Sequence, residues 1–311
     1  MTTTSPPTAA HRPRTGGFLA PIRSHPLTSF FVLANVMSWI AWTPYVLSQH
    51  GLGLWAYRFP DSFGGGQILG VLPGAYLGPI ASALLITAIA DGRDGLRRWT
   101  SRMWRWRVRW HWYAITLLGV PAAMLLTGFA FSGGQVSAPS LLAISAYVPM
   151  LLIQMVTTGL AEEPGWRDFA LPRLQDRFGP LAGSMVLGPF WALWHAPLFL
   201  TEWGGWPHAH WSRPVAFVVF CLAFNLVMTW VFNSTGQSLP LAVLAHVSVN
   251  NFASVLWTDI FPTIDEDRAM VATASGAVVA AVVLVIATRG RLGLDGPRRV
   301  VGEIGGRRAD R

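Results

Sequence analysis

The chain has 311 residues, of which 52% are hydrophobic and only 12% charged, with a mean hydropathy of +0.41. Soluble domains carry about 25% charged residues, so this chain cannot cover a water-facing surface, and its composition argues for a polytopic membrane protein. The net charge of +8 comes from 23 arginines, with no lysine, set against 15 acidic residues.

In chain order, residues 1–27 are polar and Pro-rich without a compact apolar core or a small-residue cleavage site. They read as a disordered cytosolic tail rather than a cleaved signal. Apolar runs of about 20 residues, enough to cross a bilayer, follow at 28–48, 68–90, 112–131, 141–163, 180–200, 214–232, 238–257 and 269–288. Pro and Gly within several runs are tolerated where neighbouring helices satisfy the freed backbone. Residues 291–311 are rich in Arg and Gly and read as a second cytosolic tail. The expected fold is therefore all-α: a transmembrane bundle of about eight helices over 28–290, flanked by two tails.

Arginine sets the expected orientation. With eight alternating spans and a cytosolic N-terminus, 20 of the 23 arginines fall on the cytosolic side, and only Arg58, Arg213 and Arg268 on the other. That asymmetry follows the positive-inside rule and puts both termini in the cytosol. The segment 91–111 interleaves Arg with Trp and reads as an interfacial element on anionic lipid headgroups. Placed between two spans, it argues against a nucleic-acid partner. The single cysteine, Cys221, sits in an apolar run and reads as a core residue.

Three runs carry polar groups at membrane depth, where ionisable residues are costly and tolerated mainly when paired or functional. The first ends in Glu162-Glu163-Pro164-Gly165-Trp166-Arg167. Adjacent helical residues diverge, whereas residues four apart share a face. Glu163 is thus expected to pair with Arg167, leaving Glu162 to face a cavity, although Pro164 removes a backbone donor and can distort the turn. The second run holds His195 with Trp191 four residues before it, and the third holds His246 with Asn250 four residues after it. Each alone has a bland reading: a solvated helix end, a packed histidine, an interhelical amide. Asn225 and Asn251 take that last reading, and His208 and His210 read as interfacial residues. Jointly, the three runs can satisfy their polar groups only by converging.

These motifs resemble the CPBP family of intramembrane proteases, which includes the type II CAAX prenyl proteases and proteins linked to bacteriocin self-immunity. Glu162, Glu163 and Arg167 match its first motif. Trp191 and His195 match the second, with Trp where Phe is usual, and His246 and Asn250 match the third. The matching region, about 160–252, also includes the extension Phe169-Ala170-Leu171-Pro172-Arg173-Leu174-Gln175, and departs from the family at Asp168.

The resemblance implies an intramembrane endopeptidase acting on a membrane-anchored protein or peptide from the cytosolic side, in the plasma membrane if the protein is bacterial. Glu162, His195, His246 and Asn250 would be catalytic, and Glu163, Arg167 and Trp191 supporting. No cofactor is firmly implied. A zinc ion on Glu162, His195 and His246 is the alternative to a metal-independent glutamate mechanism, since three protein donors and an open position suit catalytic zinc. Two other readings remain: a non-catalytic immunity or interaction protein, and a proton-coupled transporter, which would be expected to show repeated halves.

Overall fold

A computed structural model describes residues 19–60 and 65–294. Among these residues every regular element is a helix. Seven helices are long and apolar enough to cross a membrane: α1 (Pro26–Leu47), α2 (Gly66–Ala90), α4 (Trp110–Phe131), α5 (Leu141–Leu200), α6 (Ser212–Ser234), α7 (Leu239–Ile260) and α8 (Glu266–Thr288). Between α2 and α4 lies α3 (Gly92–Met103), an amphipathic helix burying Gly95 and Trp99.

The count differs from eight because α5 joins the fourth and fifth runs. Its 60 residues would extend far beyond a bilayer core of about 30 Å at about 1.5 Å per residue. It divides at Gly179, whose φ of 78° and ψ of 171° break the helical path, a conformation open to glycine. The two limbs of α5 thus correspond to the fourth and fifth runs. Continuation of the first limb beyond the glutamates takes the form of a π-helix, Pro164–Ala170.

Connections between the spans sort onto two ends. At one end Glu202 bonds His50, Ser140 bonds Asp259, Arg213 bonds Glu266, and Arg268 bonds the Phe131 carbonyl. At the other, Arg102 pairs with Asp168, Arg173 with Asp91, Arg105 with the Gly236 carbonyl, and Asn233 with the Leu292 carbonyl. Alternate loops therefore meet each other, as they must if α5 crosses twice. The second end collects the seven arginines of 91–111.

Both expected tail boundaries shift. Ala20–Ser24 is a short helix and Pro26 opens α1, where a proline at the first turn loses no hydrogen bond. Leu292 is fully buried and its carbonyl takes the Asn233 amide, so 291–294 is packed rather than free. The remaining tail assignments, 1–18 and 295–311, lie outside the described residues.

The surface is greasy where a soluble protein would be polar: Ile40, Leu118, Leu126 and Ile286 are each at least 65% exposed. Conversely, the buried positions of α8 are all alanines, Ala272, Ala274, Ala277 and Ala281. Small residues let apolar helices approach closely where lipid supplies no hydrophobic drive between them. Caps are conventional: Ser140 and Ser238 accept from backbone N–H groups three residues on, at 3.2 and 3.4 Å.

Candidate functional site

The polar groups of the first limb of α5 lie between two π-helical segments, Met155–Gly159 and Pro164–Ala170, with Leu160–Glu163 between them. Single π turns concentrate at functional sites because they re-aim side chains within a helix. Two glycines let this stretch approach its neighbours. A Cβ on Gly159 would lie 2.6 Å from Val243 of α7, and one on Gly165 would lie 2.6 Å from Pro79 of α2.

The adjacent glutamates face different partners. Glu163 Oε2 accepts from Arg167 Nε at 3.0 Å, and its Oε1 lies 2.7 Å from His246 Nδ1 on α7. Arg167 Nη1 donates to the Asn225 carboxamide oxygen on α6. Asn225 in turn donates to the Ser184 carbonyl at 2.6 Å, so this residue is part of the charged cluster as well as a link between helices. Glu163 and Arg167 are fully sealed, at 0% exposure. A buried ion pair repays its desolvation only with good geometry and further hydrogen bonds; the contacts with His246 and Asn225 supply some of them, while Arg167 Nη2 is buried with no hydrogen-bond partner among the described residues.

Glu162 turns to the second limb of α5, where Trp191 Nε1 donates to its Oε2 at 2.9 Å. Phenylalanine, usual at this place in the family resemblance, has no such donor. The two histidines flank the Trp191 indole, with ring centroids 6.1 Å away for His195 and 5.5 Å for His246. His195 Nδ1 lies 2.9 Å from the Trp191 carbonyl. That oxygen can only accept, so Nδ1 carries the hydrogen and Nε2 keeps a lone pair in the neutral ring. Trp203 lies parallel to the imidazole at 5.5 Å.

Asn250 follows His246 by one turn and is half-buried; its carboxamide makes no hydrogen bond among the described residues. Asn251 is buried, bonding the Tyr147 carbonyl and Gln154. Glu162, His246 and His195 keep 4%, 4% and 6% of their surface accessible. The cluster thus has a sealed half around Glu163 and Arg167 and a half with residual access around Glu162, the histidines and Asn250. The three donors considered for zinc do not form a metal-holding group: among the described residues no three His, Cys, Asp or Glu side chains are so disposed.

A further anchor was not legible in the motifs. Trp99 of α3 donates from its indole to the Pro164 carbonyl at 3.0 Å, and Arg102 pairs with the buried Asp168. Thus α3 docks on the π segment directly after the glutamates. The available signal was an acidic residue in an apolar stretch with an Arg-rich loop elsewhere in the chain.

Residues 143–252 match the family model described as type II CAAX prenyl endopeptidase Rce1-like, and all the motif residues fall within that range. This stretch of the chain is similar to the type II CAAX prenyl endopeptidases. A curated relative, "CAAX prenyl protease 2" of Methanococcus maripaludis, is 26% identical over 173 residues, covering 54% of this chain and 59% of the relative. The chain therefore spans about three-fifths of that relative's length. The matched stretch extends from the first limb of α5 into α7 and includes the residues of the polar cluster. With seven apolar helices around it, the protein is an integral, multi-pass membrane protein.

Proposed function

We propose that this protein is an intramembrane endopeptidase that hydrolyses a peptide bond of a membrane-anchored protein or peptide using water activated by Glu162. The observation that carries the reading is the unequal partnering of the two glutamates. Glu163 is committed to Arg167 and His246, whereas among the described residues Glu162 accepts only the Trp191 indole N–H and keeps residual access. A carboxylate with a free oxygen beside accessible space is suited to take a proton from water.

The other roles follow from where hydrogens must sit. His195, with Nδ1 donating to the Trp191 carbonyl, has Nε2 free to accept from the same water and orient it. As water attacks the scissile carbonyl, its proton passes to Glu162 and negative charge develops on the carbonyl oxygen. Asn250, whose carboxamide is uncommitted, would donate to that oxyanion. His246 would donate from Nε2; with Nδ1 held by Glu163, this needs the doubly protonated ring. One such donor contributes about 2.7–4 kcal/mol to the transition state. Glu162 then returns the proton to the departing amine.

The reading is written without a metal, and among the described residues no three-ligand group supports one. Access would be from the Arg-rich end, which the positive-inside rule assigns to the cytosol. By its name the curated relative acts on CAAX prenyl substrates; here the substrate class is a membrane-anchored protein or peptide, with or without a lipid. Exposed Trp104, Trp106 and Trp110 alternate with exposed Arg105, Arg107 and Arg109, a pattern suited to anionic headgroups.

The test compares protein termini in membranes of cells carrying wild type or Glu162→Gln. A terminus produced only by wild type, and reproduced by purified wild-type protein, supports the reading. A phenotype fully retained by Glu162→Gln would instead favour a binding role. Activity should survive exhaustive chelation, and a loss restored by zinc would overturn the metal-independent mechanism.

A further inference from the structure

A fully buried carboxamide on α6, Asn225, has no part in the reaction proposed above. Its amide nitrogen donates to the Ser184 carbonyl on the second limb of α5 at 2.6 Å, and its oxygen accepts from Arg167 Nη1 on the first limb. Beyond Arg167 the contacts continue through Glu163, which accepts from Arg167 Nε at 3.0 Å, to His246 Nδ1 on α7 at 2.7 Å. One unbroken line of contacts thus runs from the limb that carries His195 to the histidine on α7. Ser184, Asn225, Arg167 and Glu163 are all sealed from solvent.

Each orientation along this line is imposed by the one before it. A backbone carbonyl only accepts, so the Asn225 nitrogen must face Ser184 and its oxygen must face Arg167. The guanidinium is planar and its donors form a rigid fork, so anchoring Nη1 on Asn225 fixes the direction in which Nε–H points at Glu163. Nη2 has no hydrogen-bond partner among the described residues, and Cζ lies 5.4 Å from the Trp191 ring centroid. Without Asn225, Glu163 would be the only hydrogen-bonding partner left to the guanidinium among these residues, and its plane could turn. The Glu163 carboxylate would turn with it. The bond from that carboxylate to Nδ1 sets the rotation of the His246 ring, and hence the direction of Nε2.

We propose that Asn225 is a positioning residue for the peptidase reaction: by holding Arg167 in plane it aims Glu163, and through Glu163 the His246 Nε2 that donates to the oxyanion. Asn225 itself touches neither substrate nor the attacking water. A neighbouring bond separates this role from ordinary helix packing. Ser184 Oγ donates to Thr229 Oγ1 at 2.7 Å, joining the same two helices one turn further along α6, and both side chains are fully buried. Thr229 donates in turn to the Asn225 backbone carbonyl at 2.8 Å, within α6, and its side chain makes no hydrogen bond to Arg167 or His246. The inference rests on the oxyanion role proposed for His246, and its test has a readout that does not.

Two variants separate the outcomes. Asn225→Leu keeps a similar volume and removes both side-chain hydrogen bonds, whereas Thr229→Val removes only the neighbouring bond. Where Asn225→Leu does not fold, Asn225→Ala takes its place under the same criteria. Each purified protein is assayed for peptide cleavage. Magnetic resonance of protein carrying isotope-labelled histidine follows the His246 ring nitrogens, identified by their loss in His246→Gln. Expected for Asn225→Leu is a kcat lower by about 10- to 100-fold, the scale of a displaced catalytic group, with KM within about twofold. Its His246 resonance should shift while that of His195 stays. Thr229→Val should unfold at a lower temperature than wild type, keep kcat within about twofold and leave the His246 resonance in place.

The positioning role is overturned if kcat of Asn225→Leu stays within about twofold of wild type, or if its His246 resonance does not move. It is equally overturned by a matching loss of kcat in Thr229→Val, which would mean that any weakened contact between these helices has the same effect. If wild type cleaves nothing, the peptidase reading fails, and the resonance alone decides. A shift in Asn225→Leu without one in Thr229→Val supports the positioning of His246, and any other pattern overturns it.

Discussion

The two halves of the polar cluster contain similar groups closed off in different ways. Around Glu163 and Arg167 every charge has an opposite or amide partner and nothing is accessible. Around Glu162, His195 and Asn250 the bonds are fewer, the partners are neutral, and some access remains. Membrane burial penalises both halves alike, so the sparse half must be offset by the dense one. In this comparison one glutamate is neutralised by its neighbours and the other is not.

The comparison can be broken from either side. The largest effect is expected on activity: Glu162→Gln should lower kcat by about 100-fold or more, as loss of a general base does, while thermal unfolding in detergent stays within a few degrees of wild type. If activity survives, Glu162 is not the base. On the dense side, Arg167→Met should destabilise by about 3–5 kcal/mol, because Glu163 is left buried beside only His246. Combining it with Glu163→Gln should cost less than Arg167→Met alone. Additive costs in an unfolding titration would mean that the two side chains are not coupled.

A smaller effect tests the seam between the halves. Trp191→Phe keeps the ring between the two histidines but removes the indole donor from Glu162, and should cost about 1–3 kcal/mol of stability. No loss would mean that water replaces the donor, which is itself a measure of how wet that half is. Smallest, and outside the cluster, is the loop after α3. Arg107→Gln with Arg109→Gln should lower retention of anionic lipid in native mass spectrometry, by about 1 kcal/mol per charge. Retention equal to wild type would remove the headgroup assignment.

Much of this was legible in the sequence. Eight apolar runs sorted their arginines to one side, and the loop contacts sort onto two ends in the same alternation. The pairing of Glu163 with Arg167 followed from their spacing alone. Other features were not legible, because nothing local encodes them. Trp191 reads as an aromatic in an apolar run, and its bond to Glu162 spans 29 residues. Asn225 reads as an interhelical amide until Arg167 is found against it. Asp168 gains its meaning only from Arg102 on another helix.

The sequence by itself determined that this chain is a membrane bundle and which three helices carry its polar groups. Hydropathy, arginine placement and four-residue spacing are properties of a chain read along its length, and they hold whatever the packing. Only the tertiary structure decided which glutamate is sealed, which indole and amide partner the charges, and that His50 reaches Glu202 across 152 residues. Those assignments depend on atoms meeting within about 3 Å. No pattern along the chain specifies such a distance; it follows from how the helices pack.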